Sequence, residues 1–173
     1  MLHILNLEHG CTTKGINRLN GYLEELADTP FQQNFGRLSD NTVLSDIAAV
    51  TMGQSPVASS YNETGLGTIF YQGRAEFGWL PIAEAKHDQS QTYGKRGGVL
   101  MSARAPVGDL NLSHEDCCIG RGLAAIRCDY PSFGLYLMRL LCKELNTYNG
   151  EGTVFGSING KDLKSLSRCV AQT

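Results

Sequence analysis

The side chains in this sequence best suited to chemistry are amides, hydroxyls and cations rather than nucleophiles. Gln54, Ser55, Tyr61, Asn62, Gln72, Gln89 and Gln91 carry donors and acceptors of the kind that pair with base edges. Arg74, Lys95, Arg96, Arg104 and Arg121 are cations of the kind that hold phosphates. Taken singly, such groups are ordinary solvated surface. Arginines at turns also satisfy backbone carbonyls, and for Arg104 and Arg121 that alternative stays open. The net charge is −2 and the pI is about 6.1, which excludes a chain that is basic all over. A basic face, if present, is local: Lys95, Arg96, Arg104, Arg121 and Arg127 fall within one third of the chain.

Familiar catalytic signatures are missing. There is no GxGxxG loop, P-loop, HExxH pair or GxSxG elbow. Neither is there the Asn/Asp-Pro-Pro-aromatic motif of amino methyltransferases. His3, His9, His87 and His114 are scattered in polar contexts. A Cys–His nucleophile pair of Cys117 with His87 or His114 stays open beside the commoner reading of a buried core cysteine. The six cysteines, at 11, 117, 118, 128, 142 and 169, form no CxxC pair, and adjacent Cys117-Cys118 is a poor zinc spacing. Free thiols and a cytoplasmic location are expected. No apolar run approaches a membrane span, so no membrane partner is expected.

The elements that must position these groups follow from patterning. The chain of 173 residues suits one domain plus an appendage. Its organising stretch is 97–127. There, apolar runs Val99–Met101 and Leu123–Ile126 read as a core hairpin around a polar turn, Asn111–Asp116. Pro106 should end the first strand, and Gly108, Gly120 and Gly122 suggest tight turns or close backbone approach. Ile16, Leu19, Leu23 and Leu26 form one helical stripe over Lys14–Ala27; Pro30 closes it, and 30–41 reads as a linker. Leu44–Ile47 reads as one helical turn before a strand Ala49–Met52. Ile69–Tyr71 is a further strand, left through a turn at Gln72–Arg74. Segments 53–67 and 83–96 read as long polar loops without internal pattern, a length that often signals function. Pro131–Leu145 is the clearest helix, its apolar face made by Leu135, Met138, Leu141, Cys142 and Leu145. Val154-Phe155 suits a short strand. Ser157 suits the N-cap of a helix Asn159–Ser167, with Leu163 and Leu166 inward.

The order of these motifs resembles a known family. It runs Leu44-Ser45-Asp46-Ile47-Ala48, Met52-Gly53-Gln54-Ser55-Pro56 and Ile69-Phe70-Tyr71-Gln72-Gly73. Then come Gly98 through Gly108 (GVLMSARAPVG), Ile119-Gly120-Arg121-Gly122, and Phe155-Gly156-Ser157-Ile158 with Leu163. Over about 42–168 this series resembles a target recognition domain of the specificity subunit of type I restriction–modification systems. The resemblance implies an α/β (α+β) domain with a curved, mainly antiparallel sheet and a few helices. Residues 1–41 would precede it, and 169–173 would be the cut-short start of a C-terminal segment, since a long helix is expected soon after Leu166.

It also implies a role without chemistry of its own. Such a domain reads one half of a split double-stranded DNA target and positions adenine methyltransferase (modification) subunits. S-adenosylmethionine would be bound by that partner, so no cofactor is expected here. A restriction motor subunit and a second copy of the chain are the other implied partners. From residue type and local charge, the DNA surface is expected to comprise Gln54, Ser55, Tyr61, Gln72, Arg74, Lys95, Arg96, Arg104 and Arg121, gathered on one face. A second reading, a silent or truncated cassette acting only as a protein interaction module, stays open beside it.

Overall fold

The computed structural model describes residues 13–35, 42–55, 61–62, 67–78, 85–87, 93–149 and 156–167. The chain divides into two units, Met1–Leu38 and Ser39–Thr173. The first contributes helix α1, Thr13–Phe35. It does not stop before Pro30 as expected but runs through it. An interior proline removes one helical hydrogen bond, at about 3 kcal/mol. Side chains on either side add bonds to backbone acceptors. Thr29 Oγ1 donates to the Glu25 carbonyl at 2.8 Å and Asn34 Nδ2 to the Pro30 carbonyl at 2.8 Å. Within the expected stripe, Leu23 and Leu26 are 56% and 70% exposed. The side chains of Ile16 and Leu19 lie outside the described residues.

The second unit opens as the spacing predicts, with a one-turn helix α2, Leu44–Ile47, and strand β1, Ala49–Met52. Next come β2, Tyr61–Asn62; β3, Thr68–Tyr71; β4, Ala85–His87; and β5, Tyr93–Gly94. Segments 53–67 and 83–96 are therefore not structureless. They contribute β2, β4 and β5, two- and three-residue strands too short to show any periodicity. A single 3₁₀ turn, Arg74–Glu76, follows β3.

Strands β6, Val99–Ser102, and β9, Leu123–Arg127, are antiparallel neighbours, with Val99 opposite Ile126 and Ser102 opposite Leu123. They do not form the expected hairpin. The chain between them makes two more strands, β7, Leu110–Leu112, and β8, Cys117–Ile119. Strand β7 pairs with β6, while β8 leaves for a second sheet. The result is a four-stranded antiparallel sheet, β1-β9-β6-β7, and a five-stranded sheet, β2-β4-β3-β8-β5, in which only β3 and β8 run parallel.

The two sheets are joined by apolar contact. Leu100, Leu123 and Ala125 of the first meet Tyr71, Cys117 and Ile119 of the second in one buried cluster. Strand β6 is buried along its whole length because its other face is covered too. There helix α3, Pro131–Asn146, brings Gly134 against Val99 and buries Leu137, Met138, Leu141 and Leu145. Burying one such side chain contributes about 1.5–3 kcal/mol, so this double-sided core holds the unit together. A last short helix, α4, Gly160–Ser165, is capped by Asn159, whose Oδ1 accepts from the amides of Lys161 and Asp162. Ser157, the expected cap, lies too far upstream and instead forms an isolated bridge to Arg104. Leu163 and Leu166 are buried as expected. Val154-Phe155 lies outside the described residues.

Gly120 was expected to serve a turn. The structure gives the reason as close approach, not a positive φ, which Gly67, Gly97 and Gly108 have instead. A Cβ on Gly120 would lie 2.9 Å from the Gln72 carbonyl oxygen and 3.1 Å from Phe70 Cζ. Gly120→Val is therefore expected to destabilise by about 1–3 kcal/mol through overpacking. Gly73→Ala, where nothing lies within 4 Å, should change stability by little. Denaturant melts of both variants check this; equal midpoints would contradict the contact.

Candidate nucleic-acid interface

The turn Gly120–Gly122 gathers three other segments through backbone contacts. Its Gly120 amide donates to the Tyr71 carbonyl at 2.8 Å, which brings the end of β3 to it. The Gly53 amide donates to Leu123 and the Gln54 amide to Ile119, each at 2.9 Å, which brings the end of β1. The Ala103 amide donates to Gly122 at 2.8 Å, which brings the end of β6. No side chain fits at the closest point: a Cβ on Gly53 would overlap the Gly120 carbonyl oxygen.

These contacts set Gln54, Ser55, Gln72, Arg104 and Arg121 around one end of the two sheets, all of them exposed. Arg121 Nε donates to Ser55 Oγ at 3.0 Å. Arg104 is held by its backbone: it bridges Ser157, the Ala105 amide donates to Gly156 at 2.9 Å, and the Ile158 amide donates to Ala103 at 3.0 Å. Arg74 sits at the same end, but its Nη1 is bound to Asp109 Oδ2 at 2.6 Å. The serine hydroxyl that holds Arg121 is neutral, so the pairing leaves its charge uncompensated. The carboxylate on Arg74 cancels most of the field that this cation could offer a phosphate.

Lys95 and Arg96 are not brought to this end. Strand β5 pairs antiparallel with β8, Gly94 opposite Cys117, so Lys95 lies beside Asp116 at the start of β8, and Gly120 lies past its other end. At about 3.3 Å per residue, the four residues from Asp116 to Gly120 separate the two groups by roughly 13 Å. Lys95 Nζ is bound to Asp116 Oδ2 at 2.6 Å, and the Arg96 amide donates to Asp116 Oδ1 at 3.0 Å. The expectation that all the cations share one face is therefore corrected. They divide between the two ends of the sheets, because the single strand β6 between Arg96 and Arg104 carries the chain from one end to the other. The Lys95 hydrogen bond first, then the Arg96 amide, hold the Asp116 carboxyl below its ordinary value.

Tyr61 lies in β2, opposite His87 of β4. The side chains of Tyr61, Gln89 and Gln91 lie outside the described residues. The Cys117–His pair gains no support. Cys117 Sγ is buried, 3.4 Å from Ser113 Oγ and 3.5 Å from the Gly94 carbonyl, and burial pushes its thiol upward. Nothing here resembles an activated nucleophile. Among the described residues no cluster of His, Cys, Asp and Glu could hold a metal ion, and no helix is long and apolar enough to cross a membrane. Patterning missed Asp109 and Asp116, the carboxylates that decide which cations carry free charge. Each is far in sequence from its partner, so no local spacing reveals it.

Comparison with known proteins gives a consistent picture. No family model matches the chain. It is 40% identical over 121 residues to the MjaX type I restriction enzyme specificity subunit of Methanocaldococcus jannaschii, covering 68% of this chain and 28% of that protein. Its fold is similar to the HsdS subunit of Thermoanaerobacter tengcongensis, with a TM-score of 0.66 and 32% identity over 88% of this chain and 41% of that one. A subunit chain from a study of type I restriction–modification complex assembly matches with a TM-score of 0.64 and 33% identity, over 88% of this chain and 42% of that one. The M. genitalium S subunit, at 14% identity and a TM-score of 0.53, shares the fold. The chain thus spans less than half the length of each of these relatives.

The Lys95–Asp116 pair yields a pH test. A carboxyl whose folded pKa is depressed stabilises the fold above its unfolded value, and that contribution is lost as pH falls through the folded one. Asp116→Asn is therefore expected to lower the melting midpoint slightly at neutral pH. The difference from wild type should vanish as pH falls below the ordinary carboxyl value of 3.8. A difference that persists unchanged in acid would show that the Asp116 charge contributes nothing.

Proposed function

From a chain that carries a target recognition domain of the type I restriction–modification specificity-subunit family, we propose a DNA-reading role: it reads one half of a split double-stranded DNA target. One observation carries this reading. The turn Gly120–Gly122 collects two side-chain amides, Gln54 and Gln72, with two arginines, Arg104 and Arg121, that have no carboxylate partner among the described residues, at one end of the double sheet. Amides and a forked cation on a fixed backbone platform are what direct readout of a groove requires. Sites whose side chains are placed by packed strands discriminate better than sites on unsupported loops.

On this reading the chain does no chemistry. Its part is to place adenine methyltransferase subunits on the duplex, and S-adenosylmethionine belongs to them, as does extrusion of the target base. A motor subunit for cleavage would join the same assembly. The other half of a split target falls to a second recognition domain, for which a second copy of this chain is one source. Lys95, its ammonium paired with Asp116, and Arg96, bonded to Asp116 through its backbone amide, sit at the far end of β8 and lie outside the main contact surface.

A lone domain held by few phosphate contacts should bind duplex DNA weakly and with strong salt dependence, with non-specific dissociation constants of about 10⁻⁴ to 10⁻⁶ M. Fluorescence titrations at low and moderate salt test where that surface lies. Arg104→Ala is expected to weaken binding alike on every duplex and to lower the salt slope by about one. The Lys95→Ala/Arg96→Ala double variant should lose less than Arg104→Ala alone. If the double variant loses more, the DNA face lies at the Asp116 end and the surface proposed here is wrong.

A further inference from the structure

Resting on that DNA-reading role, we infer that Ser55 positions Arg121 so that its guanidinium reads the O6 and N7 of a guanine in the major groove. A guanidinium carries five N–H donors in a rigid plane. One of them, Nε–H, is donated to Ser55 Oγ at 3.0 Å, and this restrains the group at its inner edge. The two Nη nitrogens make no hydrogen bond among the described residues, and both Arg121 and Ser55 are exposed. The other cations differ in one respect or the other. Arg74 and Lys95 are bound to carboxylates at 2.6 Å, and the Arg104 and Arg96 guanidinium groups are tethered to nothing described. Arg121 is the described cation of this group that is both oriented and electrically uncompensated.

Orientation is what separates base reading from charge neutralisation. A phosphate is met adequately by a swinging cation, and Arg104 supplies one. A planar fork held in place matches two acceptors side by side in one plane, and guanine presents such a pair to the major groove. The backbone beneath reinforces the placement. Ser55 follows Gln54, whose amide is bonded to Ile119, and Arg121 follows Gly120, whose amide is bonded to Tyr71. Serine and arginine therefore ride on the two segments that meet at the Gly53–Gly120 contact. Gln54 and Gln72, flanking them, are amides suited to adjacent bases.

The test uses the full 173-residue chain. It is equilibrated at low salt with duplexes carrying a randomised centre, and the bound duplexes are sequenced. Wild type should enrich one guanine position that Arg121→Lys, which keeps the charge but lacks the fork, loses by about tenfold. The other enriched positions should persist in that variant. Ser55→Ala should lower the same preference severalfold, and Ser55→Thr, which keeps an Oγ, should retain it. Replacing that guanine by 7-deazaguanine, which lacks the N7 acceptor, should weaken binding by wild type but not by Arg121→Lys. Both residues are exposed, so thermal melts of the variants should match wild type. If Arg121→Lys weakens every duplex by one factor and selects the same sequence, Arg121 is a phosphate contact and the assignment is overturned. If wild type binds no duplex DNA, the DNA-reading role itself fails and takes this assignment with it.

Discussion

Where Gly53 faces Gly120 there is no room for a side chain, and the ends of β1, β3, β6 and β8 all depend on that approach. The Gly120 amide reaches back to Tyr71, the Gln54 amide to Ile119, and the Gly122 carbonyl accepts from Ala103. These bonds tie together strands from both sheets. Any side chain at Gly53 would push the Gly120 carbonyl away and separate the segments that carry Gln54, Ser55, Gln72, Arg104 and Arg121. The polar surface is thus fixed by backbone hydrogen bonds in a region that glycine alone permits, while its side chains remain exposed.

That junction is stable because apolar burial lies directly behind it. Ile119 and Leu123, on either side of the turn, are fully buried, and Tyr71, just before Gln72, is 1% exposed. Each polar residue of the candidate surface is therefore at most a few positions from a core anchor. Helix α3 covers the outer face of the four-stranded sheet, and Asn149, just past its end, both accepts from the Val107 amide and donates to the Val107 carbonyl. This double contact secures the loop after β6, on which Arg104 lies. The charges divide in the same way. Asp109 engages Arg74 and Asp116 engages Lys95, while among the described residues no carboxylate pairs with Arg104 or Arg121 at the glycine turn, or with the Arg96 guanidinium at the other end.

Much of this was legible in the sequence where the signal is local. The strands at 49–52 and 99–102 and the helix from Pro131 follow from short apolar runs, a first-turn proline and a wide apolar face. The glycines at 120 and 122 read as tight turns or close approach, and the structure selects close approach for Gly120. What escaped is non-local or very short. Pro30 ended the predicted helix because its missing donor weighs heavily in any local rule, yet the helix runs through it to Phe35. Strands β2, β4 and β5 span two or three residues and exist only through their partners. The 99–127 stretch read as one hairpin because β7 and β8 are brief, and β8 pairs in parallel with β3, far away in sequence. For the same reason Lys95 and Arg96 were grouped with Arg104, although an intervening strand carries them to the other end.

The central claim is that the glycine-turn end of the sheets is the DNA face. The most direct measurement is two-dimensional NMR of the isotope-labelled chain titrated with duplex DNA at low salt, following backbone amides residue by residue. The account predicts the largest shifts at residues 53–55, 72–74, 103–105 and 120–122, with small changes at Lys95, Arg96, Asp116 and Arg127. Dominant shifts at Lys95–Gly97, Asp116 and Arg127, with the Gly120–Gly122 amides unmoved, would contradict it.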